Sequence, residues 1–152
     1  MLAEESLRDQ PKLHLYGHAA ALCFEATYKK DGFATINIDV APKPDRRQVD
    51  WSQKITLQLS STELVTMTGI FFGFTPKAHF ARPDKGIQIE RQPGKVYLSA
   101  SAGSGRIYGL PLTPGDVVRA ADFFIARIVE MSLTKDVSAA IASVRGACAL
   151  LN

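Results

Sequence analysis

Cysteine is nearly absent from this chain: its 152 residues hold two, Cys23 and Cys148, far apart and without C-x-x-C spacing. A disulfide-stapled scaffold, a cysteine-rich zinc site and dithiol chemistry are thereby excluded, and two reduced, buried thiols suit a cytosolic setting. Histidine is also scarce. Of His14, His18 and His79, the first two lie four apart but lack the H-E-x-x-H order that sets two ligands and a base on one helical face. No run of 18 apolar residues occurs, which argues against a membrane-spanning helix. Met1 to Gln10 carries Glu4, Glu5 and Asp9 where a leader would carry a basic stretch before an apolar one, so export is not expected. A strained nucleophile turn of the G-x-S-x-G kind is missing. Gly103-Ser104-Gly105 precedes a strand-like segment rather than a helix, and so reads as a hairpin turn and not as a phosphate loop. We expect no enzyme, no metal and no cofactor.

What is present suits one globular domain. Apolar residues make up 46% and charged residues 22%, and a chain of this length buries roughly 68 to 70% of its unfolded surface without needing staples. The net charge of +3 is unevenly distributed. Residues 29 to 106 contain 12 bases and 7 acids, a surplus of five, whereas residues 1 to 28 carry a deficit of two and residues 107 to 152 balance. A locally basic stretch is the electrostatic footprint of a polyanion binder.

Period-two alternation predicts strands over Leu22 to Lys29 and Phe33 to Ala41, joined by an Asp31-Gly32 turn, and over Lys54 to Leu59 after the polar loop Pro42 to Gln48. Ser60-Ser61-Thr62-Glu63 is a capping box, and Leu64, Met67, Ile70 and Phe71 continue it at helical spacing up to Gly73. The series then recurs. Ala78 to Arg82, Gly86 to Gln92, Lys95 to Ser101 and Arg106 to Leu112 read as strands, and Thr113-Pro114-Gly115-Asp116 caps a second helix. An offset of 53 lays Ser60 on Thr113, Glu63 on Asp116, Leu64 on Val117 and Phe71 on Phe124. The chain is therefore α+β, a strands-then-helix unit present twice. Val137, Ala140, Ile141, Val144, Cys148 and Leu151 form an apolar stripe on a final helix within Asp136 to Asn152, which either docks on its own domain or joins another copy.

Single-strand nucleic-acid binding requires rings for base stacking and cations along the backbone. Both occur at outward strand positions. Lys95 and Tyr97 share the face opposite Val96 and Leu98; Trp51 lies between Arg46, Arg47 and Lys54; Phe80 lies between Lys77, His79 and Arg82; and Phe33 adjoins Lys29 and Lys30. Trp51 and Phe80 are either base platforms or core rings, while Tyr97 favours the exposed role.

Three stretches carry a resemblance to a known family: YGHAAAL at Tyr16 to Leu22, VDWSQKITLQLSSTELVTM at Val49 to Met67, and GIQIERQPGKVYLSAS through LPLTPGDVVRAADFFIARIVEM at Gly86 to Met131. With the order of elements, they resemble the Whirly family of single-stranded DNA-binding proteins, over about Lys12 to Leu133. The resemblance implies two antiparallel four-stranded sheets packed crosswise, a homotetramer built around the helices, and single strands lying over the sheet edges. Trp51 matches the family tryptophan that follows aspartate. Gly17, His18 and Ala19 stand where plant members have lysine, glycine and lysine, and Val49 replaces a tyrosine.

The resulting expectation is an N-terminal tail over 1–11, a binding domain over 12–133 and an amphipathic helix over 134–152. The expected partner is single-stranded DNA or RNA, contacted by Tyr16, His18, Lys29, Lys30, Phe33, Arg46, Trp51, Lys54, Lys77, Phe80, Arg82, Lys95, Tyr97 and Arg106. A sequence-tolerant binder of replication, recombination, transfer or transcription follows, cytoplasmic and nucleoid-associated in a bacterial or phage-like setting. The rival is a protein-interaction or transcription-cofactor module.

Overall fold

In each half of the chain, alternating apolar residues build four antiparallel strands and a capped helix closes the unit. The computed structural model describes residues 10–103 and 105–151, so most of the expected tail, Ser104 and Asn152 lie outside the described residues. Strands β1 (Lys12–Tyr16), β2 (Ala20–Tyr28), β3 (Ala34–Pro42) and β4 (Ile55–Gln58) form one meander in sheet order, and helix α1 (Ser61–Phe72) follows. Strands β5 (Lys77–Ala81), β6 (Lys85–Gln92), β7 (Lys95–Ala102) and β8 (Arg106–Leu112) form the second, followed by α2 (Pro114–Glu130) and a last helix α3 (Val137–Ala149). The predicted strands recur with shifted ends. Strand β1 was not predicted as a strand, because its KLHLY offers only two apolar residues, Leu13 and Leu15, at alternate positions.

Both helix starts are built alike. Ser60 accepts from Glu63 N while the Glu63 carboxylate accepts from Ser60 N, and Thr113 and Asp116 repeat the exchange. Two orphan donors are thus satisfied at each N-terminus, worth about 1 kcal/mol per cap. The 53-residue offset therefore holds as local geometry. The inward residues of both sheets, among them Leu22, Ile38, Leu57, Ile87 and Leu98, share one core with Leu64, Met67, Ile70 and Phe71 of α1 and Ala120 and Phe124 of α2.

Alternation fails as a guide on β2 and β3. Ala21, Cys23, Thr35 and Ala41 lie opposite the core-facing set, yet all are buried. Thr35 is held there by donating to Leu59 O, and α2 reaches its neighbourhood through Arg127. The Arg127 guanidinium is buried and donates to Thr35 O, Thr27 O and the Glu130 carboxylate while lying 5.2 Å over the Tyr28 ring. A buried cation is tolerated when its donors are engaged in this way.

Helix α3 docks on its own chain: Ala140, Val144 and Cys148 are buried with Ile125 of α2, against Val65, Phe72 and Phe74. The approach to α1 is close because residue 69 is glycine. A Cβ there would lie 2.2 Å from Cys148 Sγ, whereas a Cβ at Gly146 on α3 would meet nothing within 4 Å. Gly69→Ala is therefore expected to destabilise the fold by about 1–3 kcal/mol through overpacking. Gly146→Ala is expected to stabilise it by about 0.5–1 kcal/mol. Urea denaturation of both variants measures the two opposite signs.

Candidate nucleic-acid interface

With one face of each sheet buried, the other face carries the rings and cations, and the register places them in rows. On the second sheet one row reads Lys77, Glu90, Tyr97 and Pro111, and the next reads His79, Gln88, Ser99 and Gly109. Tyr97 does not stand upright. Its ring leans over Gly109, where a Cβ would lie 2.4 Å from the Tyr97 hydroxyl and 2.9 Å from Cζ. Glycine at that strand position lets the ring lean down toward the sheet, and Tyr97 remains 38% exposed. His79 uses Gly86 similarly, with Nε2 3.1 Å from the position of the missing Cβ.

Lys77, His79, Gln88, Glu90, Tyr97 and Ser99 line an open depression of about 560 Å³ on this face. It continues past His79 into a second hollow of about 340 Å³ reaching Lys85 and Ser101. Among the described residues Lys77 and Lys95 make no ion pair. Lys95 lies two residues before the exposed Tyr97 on the same face of β7, and Lys77 faces Glu90 across the β5–β6 register.

On the first sheet the outward side of β1 presents Lys12, His14 and Tyr16, and the His14 and Tyr16 rings stack at 6.2 Å. Trp51 sits on a 3₁₀ turn (Trp51–Gln53) after β3, and its ring meets His14 edge-on at 5.8 Å. Neighbouring strands are about 4.8 Å apart, so this contact spans the width of β2 and passes over its outward row. That roof explains why Ala21 and Cys23 are buried. The Cys23 thiol is pushed up to about 11, chiefly by burial and then by the Asp39 carboxylate. This face is less free for phosphates, because Lys12 pairs with Glu25 at 3.2 Å and Lys54 with Asp39 at 3.5 Å.

Arg106 joins the two halves. From β8 it donates to Gln53 O at 2.7 Å, holding the Trp51 turn, and lies 5.7 Å over Tyr108. Gly17 makes a second junction, since a Cβ on it would lie 2.8 Å from Leu110 Cβ.

No family model matches the sequence, and no curated protein matches it. Solved structures do match. The plant transcriptional regulator PBF-2 aligns over 76% of this chain and 78% of its own with a TM-score of 0.56 at 20% identity. For WHY3 of Arabidopsis thaliana the shares are 75% and 83%, with a TM-score of 0.55 and 21% identity. The MRP1/MRP2 proteins of Trypanosoma brucei align over 78% and 92%, with a TM-score of 0.60 and 14% identity. This chain has the Whirly-like fold.

Within the Whirly-like frame the residues expected to contact nucleic acid separate into groups. Lys77, Lys95 and Tyr97 share the second sheet's outer face, and Tyr16, Trp51 and Lys54 share the first's. Lys29, Lys30 and Phe33 cluster at the tip of the β2–β3 hairpin, Lys29 lying 5.8 Å over the Phe33 ring. His18 is exposed on the β1–β2 turn and Arg46 on the loop after β3, where it adopts φ 62°.

Three expected contacts take other roles. Phe80 is only 5% exposed and packs in the core, because β5 turns Phe80 inward and His79 outward. Arg82 grips Glu63 at 2.6 Å and donates to Gln58 O, which lowers the Glu63 carboxyl below its ordinary range and ties β5 to the α1 cap. Arg106 is committed to the Trp51 turn. His14, Gln88 and Glu90 also lie on these outer faces, although the sequence pattern does not single them out; the isolated Gly109 inside a strand is the signal for a close approach at Tyr97.

Trp51 is the single tryptophan, so Arg106→Ala is expected to release its turn and raise the acrylamide quenching of its fluorescence without unfolding the protein. Because burial keeps Cys23 protonated up to about 11 and also pushes the Cys148 thiol up, neither thiol should react with DTNB at pH 8. Both should react once the chain is denatured.

Proposed function

We propose that this chain is a non-enzymatic, sequence-tolerant single-stranded DNA-binding protein serving replication, recombination, transfer or transcription in the cytoplasm. One observation carries the proposal: the exposed Tyr97 ring leaning over Gly109 on the outer face of the second sheet, with Lys95 two residues before it on the same strand face and Lys77 further along the same row, neither lysine in an ion pair among the described residues. A ring lying on a sheet offers a π-face that accepts any base, worth about 1–3 kcal/mol per stacked base, and ammonium groups beside it attract the backbone. The fold likeness to the transcriptional regulator PBF-2 supports the same reading. Double-stranded DNA hides its base faces within the stack and is disfavoured by such a platform. RNA engages the same contacts, since nothing in them senses a 2′-hydroxyl.

We also propose that several copies assemble, four by the resemblance. Val118, Leu133 and Leu150 remain exposed on or beside the helices, Leu150 at 86%.

The test is titration with oligo-dT, followed by Trp51 fluorescence and by anisotropy of a labelled strand. Affinity should fall with salt by a log-log slope of about −0.7 per neutralised phosphate. Tyr97→Ala should weaken binding about 5- to 150-fold with little change of slope, and Gly109→Ala, which lifts the ring without removing it, should weaken it less. Lys95→Ala should reduce the slope by about 0.7. Absence of binding at low salt would overturn the proposal. Light-scattering mass with and without oligo-dT reads the assembly.

A further inference from the structure

The carboxylate of Glu90 is out of place on a surface meant only for phosphates. It is exposed, lies directly across from Tyr97 in the register, and also faces Lys77 on its other side without an ion pair among the described residues. Its recorded hydrogen bond is from Gln92 Nε2 to Oε1 at 3.2 Å, which orients the group and leaves acceptor capacity on both oxygens. Gln88 stands two residues before it on the same face of β6, also exposed, and opposite Ser99. Tyr97 leans away from these two residues toward β8. That lean leaves the depression over β6 open, and a base stacked on the ring with one edge turned into the depression, which Tyr97, Glu90 and Gln88 line together, meets both groups.

A carboxylate repels phosphate but accepts well from base donors, and the four bases differ in what they offer it. Adenine and cytosine place one amino donor beside a ring-nitrogen acceptor, and thymine flanks its single N–H with two carbonyls. Guanine alone presents two adjacent donors, N1–H and the N2 amine, which match the two oxygens of a carboxylate. Its neighbouring O6 accepts, which suits a glutamine amide. Bidentate pairs of this kind carry base discrimination.

We propose that the depression around Tyr97 is a guanine-preferring base subsite within the otherwise sequence-tolerant surface, with Tyr97 as the stacking platform, Glu90 reading N1–H and N2–H, and Gln88 reading O6. The inference rests on the single-strand reading above. Phosphate contacts and stacking supply affinity for any strand, and this position adds preference at one nucleotide.

Anisotropy competition tests it, using an oligo-dT probe and competitors that carry one central dG, dA, dC or deoxyinosine in oligo-dT. The dG strand should compete at least about fivefold better than oligo-dT. Deoxyinosine, which lacks the N2 amine, should keep only part of that advantage. Glu90→Gln should abolish the dG preference and raise oligo-dT affinity, because a charge that repels phosphate is removed. Equal competition by all strands, or a dG preference that persists in Glu90→Gln, would overturn the subsite while leaving strand binding intact. Failure of every oligonucleotide to bind would instead overturn the underlying single-strand reading together with the subsite.

Discussion

Three rings at the centre of the core hold the arrangement together. Phe24 of β2 meets Phe124 of α2 edge-on at 4.9 Å and Phe71 of α1 at 6.1 Å, and Phe71 and Phe124 meet at 5.0 Å. Phe71 and Phe124 are 53 residues apart, the same offset that relates the two helix caps. The equivalent helices of the two halves thus converge on one strand of the first sheet. Edge-to-face aromatic pairs add to the area that they bury, and both sheets turn apolar faces toward the core in which these rings sit. The opposite face of the second sheet and the outer strand of the first are left to solvent, and that is where rings with polar tips and long cations are stable.

Glycine then determines what those outer faces look like. At Gly109 and Gly86 a missing Cβ lets Tyr97 and His79 lie down on the sheet instead of standing off it. At Gly17 and Gly69 it lets separate elements approach closely, the β1–β2 turn against β8 and α3 against α1. The two outer faces differ electrostatically for a simple reason. On the first sheet Glu25 and Asp39 pair with Lys12 and Lys54, whereas on the second Lys77 and Lys95 form no ion pair among the described residues. The surplus of basic residues in the middle of the chain is therefore divided between structural and available cations. Arg82 and Arg91 belong to the first class, one binding Glu63 and the other donating to Ile70 O at the end of α1.

Fold likeness and functional detail part company here. At 14 to 21% identity the similar solved structures share an architecture with this chain, and architecture alone supports many functions. What the architecture leaves open is decided by the side chains placed on it: here an exposed ring, two cations on the same sheet face, and a carboxylate and an amide on the neighbouring strand β6.

Several features were determined locally and are visible in the sequence. Capping boxes at Ser60 and Thr113, the strand alternation of β3, β6 and β7, and the duplication that links them depend on backbone donors and side-chain period, which neighbouring residues settle. The exposure of Tyr97 was legible for the same reason. Other features were decided by tertiary structure. Phe80 and Trp51 have similar sequence surroundings of cations and rings, yet β5 turns Phe80 into the core while a one-turn 3₁₀ segment lays Trp51 against His14. Ala21, Cys23 and Ala41 alternate as surface residues and are buried nevertheless. Arg82, Arg106 and Arg127 look like free charge in sequence, but each has carbonyl acceptors supplied by segments between 24 and 100 residues away. Charge and period are properties of the chain, whereas the partner that engages a charge and the element that covers a face are supplied only when distant segments meet.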